Sequence, residues 1–167
     1  IQQSKGKDSS TPSGLIITPT RELALQVYQE IQWLFEKTDL TAVTSIGGMD
    51  INKERAKLKR KFNLLIGTPG RINDHLRKKY LNLSKLSVLV LDEADEMLDL
   101  GFKEDLDKII QSSPENSRKL LFSATLPKKI ISLANKYQKN PKRIEVSNQN
   151  VPHKDISYES YFINKKD

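Results

Sequence analysis

Short apolar runs recur along this chain, and nearly every one is followed by a stretch with helical spacing. Residues 15–18, 41–46, 64–67, 87–91, 120–123 and 143–146 read as strands. Between them, residues 21–36, 70–79, 102–112 and 127–137 carry apolar side chains at helical intervals. A further, basic helix starts after Asp50 and runs through Lys53, Arg55, Lys57 and Arg60. The strands are apolar on both faces rather than alternating, which requires cover on both sides. The expected class is therefore α/β: a three-layer parallel sheet with helices on both faces. On the long helix, Leu23, Ala24, Val27, Ile31, Leu34 and Phe35 share one face, and Trp33 and Phe35 are expected to pack.

In such sheets ligands bind beyond the carboxyl ends of the strands, and the residues there carry the chemical signals. Val88-Leu89-Val90-Leu91 ends on Asp92-Glu93-Ala94-Asp95. A carboxylate at a strand end can hold Mg²⁺ through water, and its neighbour can orient or deprotonate an attacking water. The bland alternative is an acidic helix start favoured by the helix dipole. Ser123-Ala124-Thr125 follows the next strand, and its two hydroxyls can bond a carboxylate such as Asp95. Alone it would be ordinary helix capping.

Pro19-Thr20-Arg21 and Thr68-Pro69-Gly70-Arg71 each put a hydroxyl, backbone N–H groups and a guanidinium at a helix N-terminus, a favourable place for a backbone phosphate. Gly47-Gly48 adds a stretch where backbone can approach a ligand without a side chain between. Contacts of this kind carry no base code, so low sequence specificity is expected. The basic helix through residues 53–61 reads as a solvated face. His75 and His153 stand apart from any metal-ligand spacing and receive no role.

Composition agrees. With 167 residues the chain can bury one sizeable core. A net charge of +7 suits a polyanionic partner. The absence of cysteine excludes disulfides and thiolate metal sites. No apolar run approaches the ~20 residues of a membrane span, and an intracellular, cytoplasmic setting is expected, with no membrane partner.

With Pro-Thr-Arg-Glu-Leu-Ala, Gly-Gly, Thr-Pro-Gly-Arg, Asp-Glu-Ala-Asp and Ser-Ala-Thr in this order, the chain resembles the DEAD-box ATP-dependent RNA helicases. The likeness covers nearly all of residues 14–147, and Asp99-Leu100-Gly101-Phe102 also looks like the family's segment after the acidic motif. The resemblance implies the first of two RecA-like domains, with ATP and Mg²⁺ as cofactors held against Asp92 and Glu93. It implies RNA backbone contacts from Thr20, Arg21, Gly48, Thr68, Gly70 and Arg71, with Pro19, Gly47 and Pro69 in the same segments. It further implies that Asp95, Ser123 and Thr125 couple hydrolysis to local strand separation. A second RecA-like domain of the same protein and RNA are the implied partners.

The departures are as specific. No G-x-x-x-x-G-K-[ST] phosphate loop occurs in the sequence. The nearest candidate, Gly6-Lys7, has Ile1 where the first glycine belongs and Asp8 where Ser or Thr belongs. Residues 1–13 are expected as a flexible loop, 14–147 as a partial RecA-like domain lacking its first strand and phosphate loop, and 148–167 as a linker towards an absent second domain. These residues alone are expected to be inactive, with unpaired sheet edges and marginal stability. A non-catalytic RNA-binding scaffold and a DNA helicase on the same fold are the competing possibilities.

Overall fold

The computed structural model describes residues 11–48, 50–138 and 141–145. Five parallel strands form one sheet: β1 (Gly14–Ile17), β2 (Ala42–Ser45), β3 (Leu64–Gly67), β4 (Val88–Leu91) and β5 (Arg118–Leu121), in the order β2-β3-β1-β4-β5. The helices are α1 (Arg21–Phe35), α2 (Ile51–Leu58), α3 (Pro69–Arg77), α4 (Ala94–Asp99), α5 (Lys103–Ser112) and α6 (Lys128–Tyr137). Among the described residues, no helix is long and apolar enough to cross a membrane.

The strands feed two cores because successive side chains point to opposite faces. Leu15, Ile17, Leu65 and Leu89 join Ile72 of α3, Met97 of α4, Leu106 and Ile109 of α5 and Ile130 of α6 in the larger core. On the other face, Ala42, Ile46 and Ile66 pack with Ala24 of α1, flanked by Val27, Tyr28, Ile31 and Phe35. The three-layer arrangement expected from the sequence is present.

Four details differ from the sequence expectation. Trp33 does not pack; it is 70% exposed. It lies nine residues beyond Ala24, about two and a half helical turns, and so points away from the sheet. Leu34, on the flank of the same stripe, is also exposed. Strand β5 begins at Arg118 rather than at residue 120, because Arg118 N–H bonds Ser87 O (2.8 Å) and starts the ladder with β4; two basic residues hid that start from hydropathy. Residues 143–145 form no strand. Ile144 is exposed, and Val146 lies outside the described residues. The acidic motif also opens a helix, the alternative weighed for it: α4 has too few residues for its periodicity to be read, yet Ala94 and Met97 anchor it in the core.

The proposed loop at 1–13 is described only from residue 11, and the linker at 148–167 lies wholly outside the described residues.

Candidate functional site

Parallel pairing in register brings the carboxyl ends of all five strands to one rim. Ser45 pairs with Gly67, Gly67 with Ile17, Ile17 with Leu91 and Leu91 with Leu121. Every sequence-predicted site residue lies within four residues of that line. The turn after β1 lies between the other two: Arg21 and Asp92 follow neighbouring strands, as do Arg21 and Arg71. Neighbouring strands are about 4.8 Å apart, so the ends of β3 and β4 are separated by about 10 Å.

One half of the rim carries the acidic motif. Asp92 N–H donates to Ile17 O (2.9 Å) and Ala94 N–H to Phe122 O (3.0 Å), tying the start of α4 to both neighbouring strands. Glu93, between them, has φ +52, a left-handed conformation uncommon for a side chain with a Cβ. The turn lifts Glu93 into solvent and leaves Asp92 half-buried. Asp95 reaches across to the third motif: its Oδ2 accepts from the Thr125 hydroxyl (2.7 Å) and from Thr125 N–H (3.0 Å). The Ser123 hydroxyl donates to Thr125 O (2.6 Å) and closes the turn. Burial alone would raise the Asp95 carboxyl. The hydrogen bonds of Thr125, with the Ser123 hydroxyl close by, outweigh it and hold the group below its ordinary value.

Asp92 and Glu93 supply hard oxygen donors at a strand end. Among the described residues, no group of three or more His, Cys, Asp or Glu could cage an ion. Mg²⁺ is commonly bound by one or two carboxylates, with water and phosphate oxygens completing its octahedron. The donor set therefore fits Mg²⁺ as a partial anchor that needs a bound phosphate to complete it.

The other half of the rim is basic. Thr20 caps α1, its hydroxyl accepting from Leu23 N–H (3.2 Å), so Arg21 opens the helix at the surface. Pro69 takes the first position of α3, where its missing N–H costs nothing. Thr68, just before it, is half-buried and makes no side-chain capping bond. Gly70 is exposed, with nothing within 4 Å of where a Cβ would stand. Pro19 and Pro69 are buried and shape the turns rather than face solvent.

The Gly47-Gly48 turn is not the open approach that the sequence suggests. A Cβ on Gly48 would lie 2.0 Å from Arg21 Nη1, and one on Gly47 3.3 Å from Nη2. The space that glycine frees is filled by the Arg21 guanidinium. Arg71 comes to the same place from α3: its Nε donates to Ile46 O (3.3 Å) and pairs with Glu54 Oε2 (3.4 Å).

Sequence reasoning missed two members of this half. Glu54 stands in the basic helix, yet its side chain is 3% exposed. Its Oε1 accepts from Ile46 N–H (3.0 Å) and its Oε2 meets His75 Nε2 (2.9 Å). His75, given no role from spacing, is fully buried. The available signal was a single acid at the fourth position of a helix otherwise lined with Lys and Arg.

A family model described as DEAD/DEAH box helicase matches residues 1–133. The chain is 42% identical over 151 residues to the ATP-dependent RNA helicase DbpA of Bacillus subtilis, covering 90% of this chain and 32% of that protein. It is 40% identical over 159 residues to the DEAD-box ATP-dependent RNA helicase RhpA of Helicobacter pylori, covering 95% of this chain and 32% of the other. Among solved structures, a DEAD box protein from the hyperthermophile Methanococcus jannaschii superposes with a TM-score of 0.75 at 43% identity, over 78% of this chain and 36% of that one. The chain spans about a third of the length of these relatives.

Proposed function

Because the chain belongs to the DEAD/DEAH box helicase family, we propose that it is the RNA-gripping and metal-anchoring part of an ATP-dependent RNA helicase. The observation that carries this is the division of one sheet rim into two adjoining halves. Arg21, Gly48, Thr68, Gly70 and Arg71 form a basic half suited to sugar-phosphate backbone. Asp92 and Glu93, with Asp95 bonded to Thr125, form an acidic half suited to Mg²⁺ and a nucleoside triphosphate.

In this proposal Arg21 and Arg71 receive backbone phosphates, with N–H groups at the starts of α1 and α3 beside them. Asp92 and Glu93 would hold Mg²⁺ through water, and Glu93 is placed to accept the proton of the attacking water. Bound Mg²⁺ would supply charge neutralisation on the phosphate oxygens. Asp95, Thr125 and Ser123 tie the acidic turn to the segment after β5, so a change at the phosphate site is transmitted along the rim. A second RecA-like domain would complete the nucleotide site. The protein would work in the cytoplasm, on RNA, away from membranes.

The 167 residues hold no G-x-x-x-x-G-K-[ST] loop, so they are expected to bind single-stranded RNA yet turn over ATP negligibly. Fluorescence anisotropy with a labelled oligouridylate, beside an ATP turnover assay with and without RNA, tests both parts. Salt-dependent binding lost on Arg21→Ala and Arg71→Ala supports the site. Clear RNA-stimulated hydrolysis refutes the inactive state, and no RNA binding refutes the basic half. Equal affinity for the matched DNA strand would favour a DNA-directed enzyme instead.

A further inference from the structure

Glu54 belongs to none of the five motifs, and its surroundings are unusual for a helix of this composition. Lys53, Arg55 and Lys57 around it are exposed, whereas Glu54 turns inward. Its two oxygens act on different segments. Oε1 accepts from Ile46 N–H (3.0 Å), the last peptide before Gly47-Gly48. Oε2 faces Arg71 Nε (3.4 Å) and His75 Nε2 (2.9 Å), both on α3. Arg71 Nε in turn donates to Ile46 O (3.3 Å). Both backbone groups of Ile46 are thus gripped, one by Glu54 and one by Arg71, and the Glu54–Arg71 pair closes the ring.

Stability is a poor reason for such a ring. A buried carboxylate is costly unless well paired, and apolar replacements of buried ion pairs are often at least as stable. His75 makes the same point: with Nε2 spent on Glu54, its buried Nδ1 has no hydrogen-bond partner among the described residues. What the ring does achieve is geometry. Arg71 Nε–H is aimed at fixed acceptors, so the plane of its guanidinium is set before any ligand arrives. The same carboxylate fixes the entry to the Gly47-Gly48 turn, over which Arg21 lies. Binding groups held by such supporting contacts can meet a phosphate without reordering, and that is where affinity is gained.

We propose that Glu54 is a positioning residue for RNA binding. It locks Arg71 and the Gly47-Gly48 turn into one rigid unit and does not itself touch RNA. This rests on the basic half of the rim being the RNA site, and the test separates the two claims.

The experiment is a double-mutant cycle on the whole chain, read as affinity for a labelled oligouridylate. Glu54→Gln keeps an oxygen for Ile46 N–H but removes the charge facing Arg71. It should weaken binding about tenfold, as should Arg71→Ala, and the double variant should be no weaker than Arg71→Ala alone. Native affinity in Glu54→Gln, or losses that multiply in the double variant, overturns the positioning role. An Arg71→Ala variant that binds RNA normally instead sinks the RNA site, whatever Glu54 does.

A second measurement needs no RNA, and its first part needs no variant. Arg71 Nε–H should give a resolved arginine side-chain NMR resonance with slow solvent exchange in the unsubstituted chain. Rapid exchange there refutes the ring directly. Glu54→Gln should speed that exchange while leaving the Asp95–Thr125 amide signals in place, which a general loosening of the fold would not do.

Discussion

Gly48→Ala separates folding from binding more sharply than any other single change on this rim. Gly48 has φ +78. Alanine in that left-handed region costs about 1–2 kcal/mol relative to glycine. The new methyl would also lie 2.0 Å from Arg21 Nη1 and 2.6 Å from its Cζ. Arg21 is exposed, and these atoms end a long flexible side chain, so it can swing away at little cost to the fold. The backbone term therefore dominates stability, and Tm should fall by about 3–8 °C for a domain of this size.

Binding should suffer for a different reason. Displacing Arg21 would remove the phosphate contact proposed for it, about 1.5 kcal/mol or tenfold in affinity. The slope of log K against log salt should become shallower by about 0.7, the share of one phosphate on a single strand. Gly47→Ala is the control. Its Cβ would stand 3.3 Å from Arg21 Nη2, a contact relieved by a few tenths of an ångström, and its effect on both readouts should be smaller. Melting curves and anisotropy titrations at several salt concentrations are sufficient. A Gly48→Ala protein with lowered Tm but native affinity and salt slope would refute the role given to Arg21.

Gly70→Ala should behave in the opposite sense. Open space surrounds the site of its Cβ, and alanine in the first turn of α3 should raise stability by up to about 1 kcal/mol. RNA affinity should nonetheless fall if backbone approaches the phosphate chain there, and a variant that melts higher and binds as tightly as before refutes that approach. Thr125→Val addresses the Asp95 bridge. The folded Asp95 carboxyl is depressed below 3.8, so its stabilisation is present above that pH and disappears as pH falls through the lower folded value. Thr125→Val should cost about 1 kcal/mol at neutral pH. That deficit should narrow below about pH 4, and carboxyl NMR should show Asp95 titrating higher than in the parent; a deficit unchanged down to pH 2 contradicts this.

Much of this architecture was legible because it depends on short-range pattern. Val88–Leu91 and Leu64–Gly67 are apolar on both sides, so strand identity and parallel pairing follow from solvent exclusion alone. Asp92, Arg21 and Arg71 then fall at the rim by register. What escaped was decided by neighbours far along the chain. Trp33 is the exception: its nine-residue spacing from Ala24 on α1 already points it outward, and only its residue type made it look like core. Glu54 looks solvated because its helix is basic, but Ile46 is eight residues behind it and His75 twenty-one ahead. Neither contact leaves a trace at helical spacing. The filling of the Gly47-Gly48 turn by Arg21 was invisible for the same reason: the glycines and the arginine lie on different sheet connections.

The two halves of the rim are built on different physics, and the contrast bears on how they could communicate. The basic half is preset by buried groups: Glu54 and His75 are nearly solvent-free, and Arg71 is 13% exposed. A shift there would leave a buried carboxylate without its partners, so rigidity is enforced by desolvation. The acidic half is anchored in the core by Ala94 and Met97, but its carboxylates are held at the surface, chiefly Asp95 with Thr125, beside the left-handed Glu93. Exposed hydrogen bonds exchange with water at small net cost, so the Asp95–Thr125 contact resists displacement less than the buried ring does. Between them stands only β1, whose Ile17 O accepts from Asp92 N–H and whose own following turn carries Arg21. A displacement of the acidic turn therefore has one short covalent and hydrogen-bonded route to the basic half, through Ile17, Thr18 and the start of α1. Arg21, exposed at the start of α1, is the first group of the basic half on that route, whereas Arg71 is tied to Glu54 and Ile46.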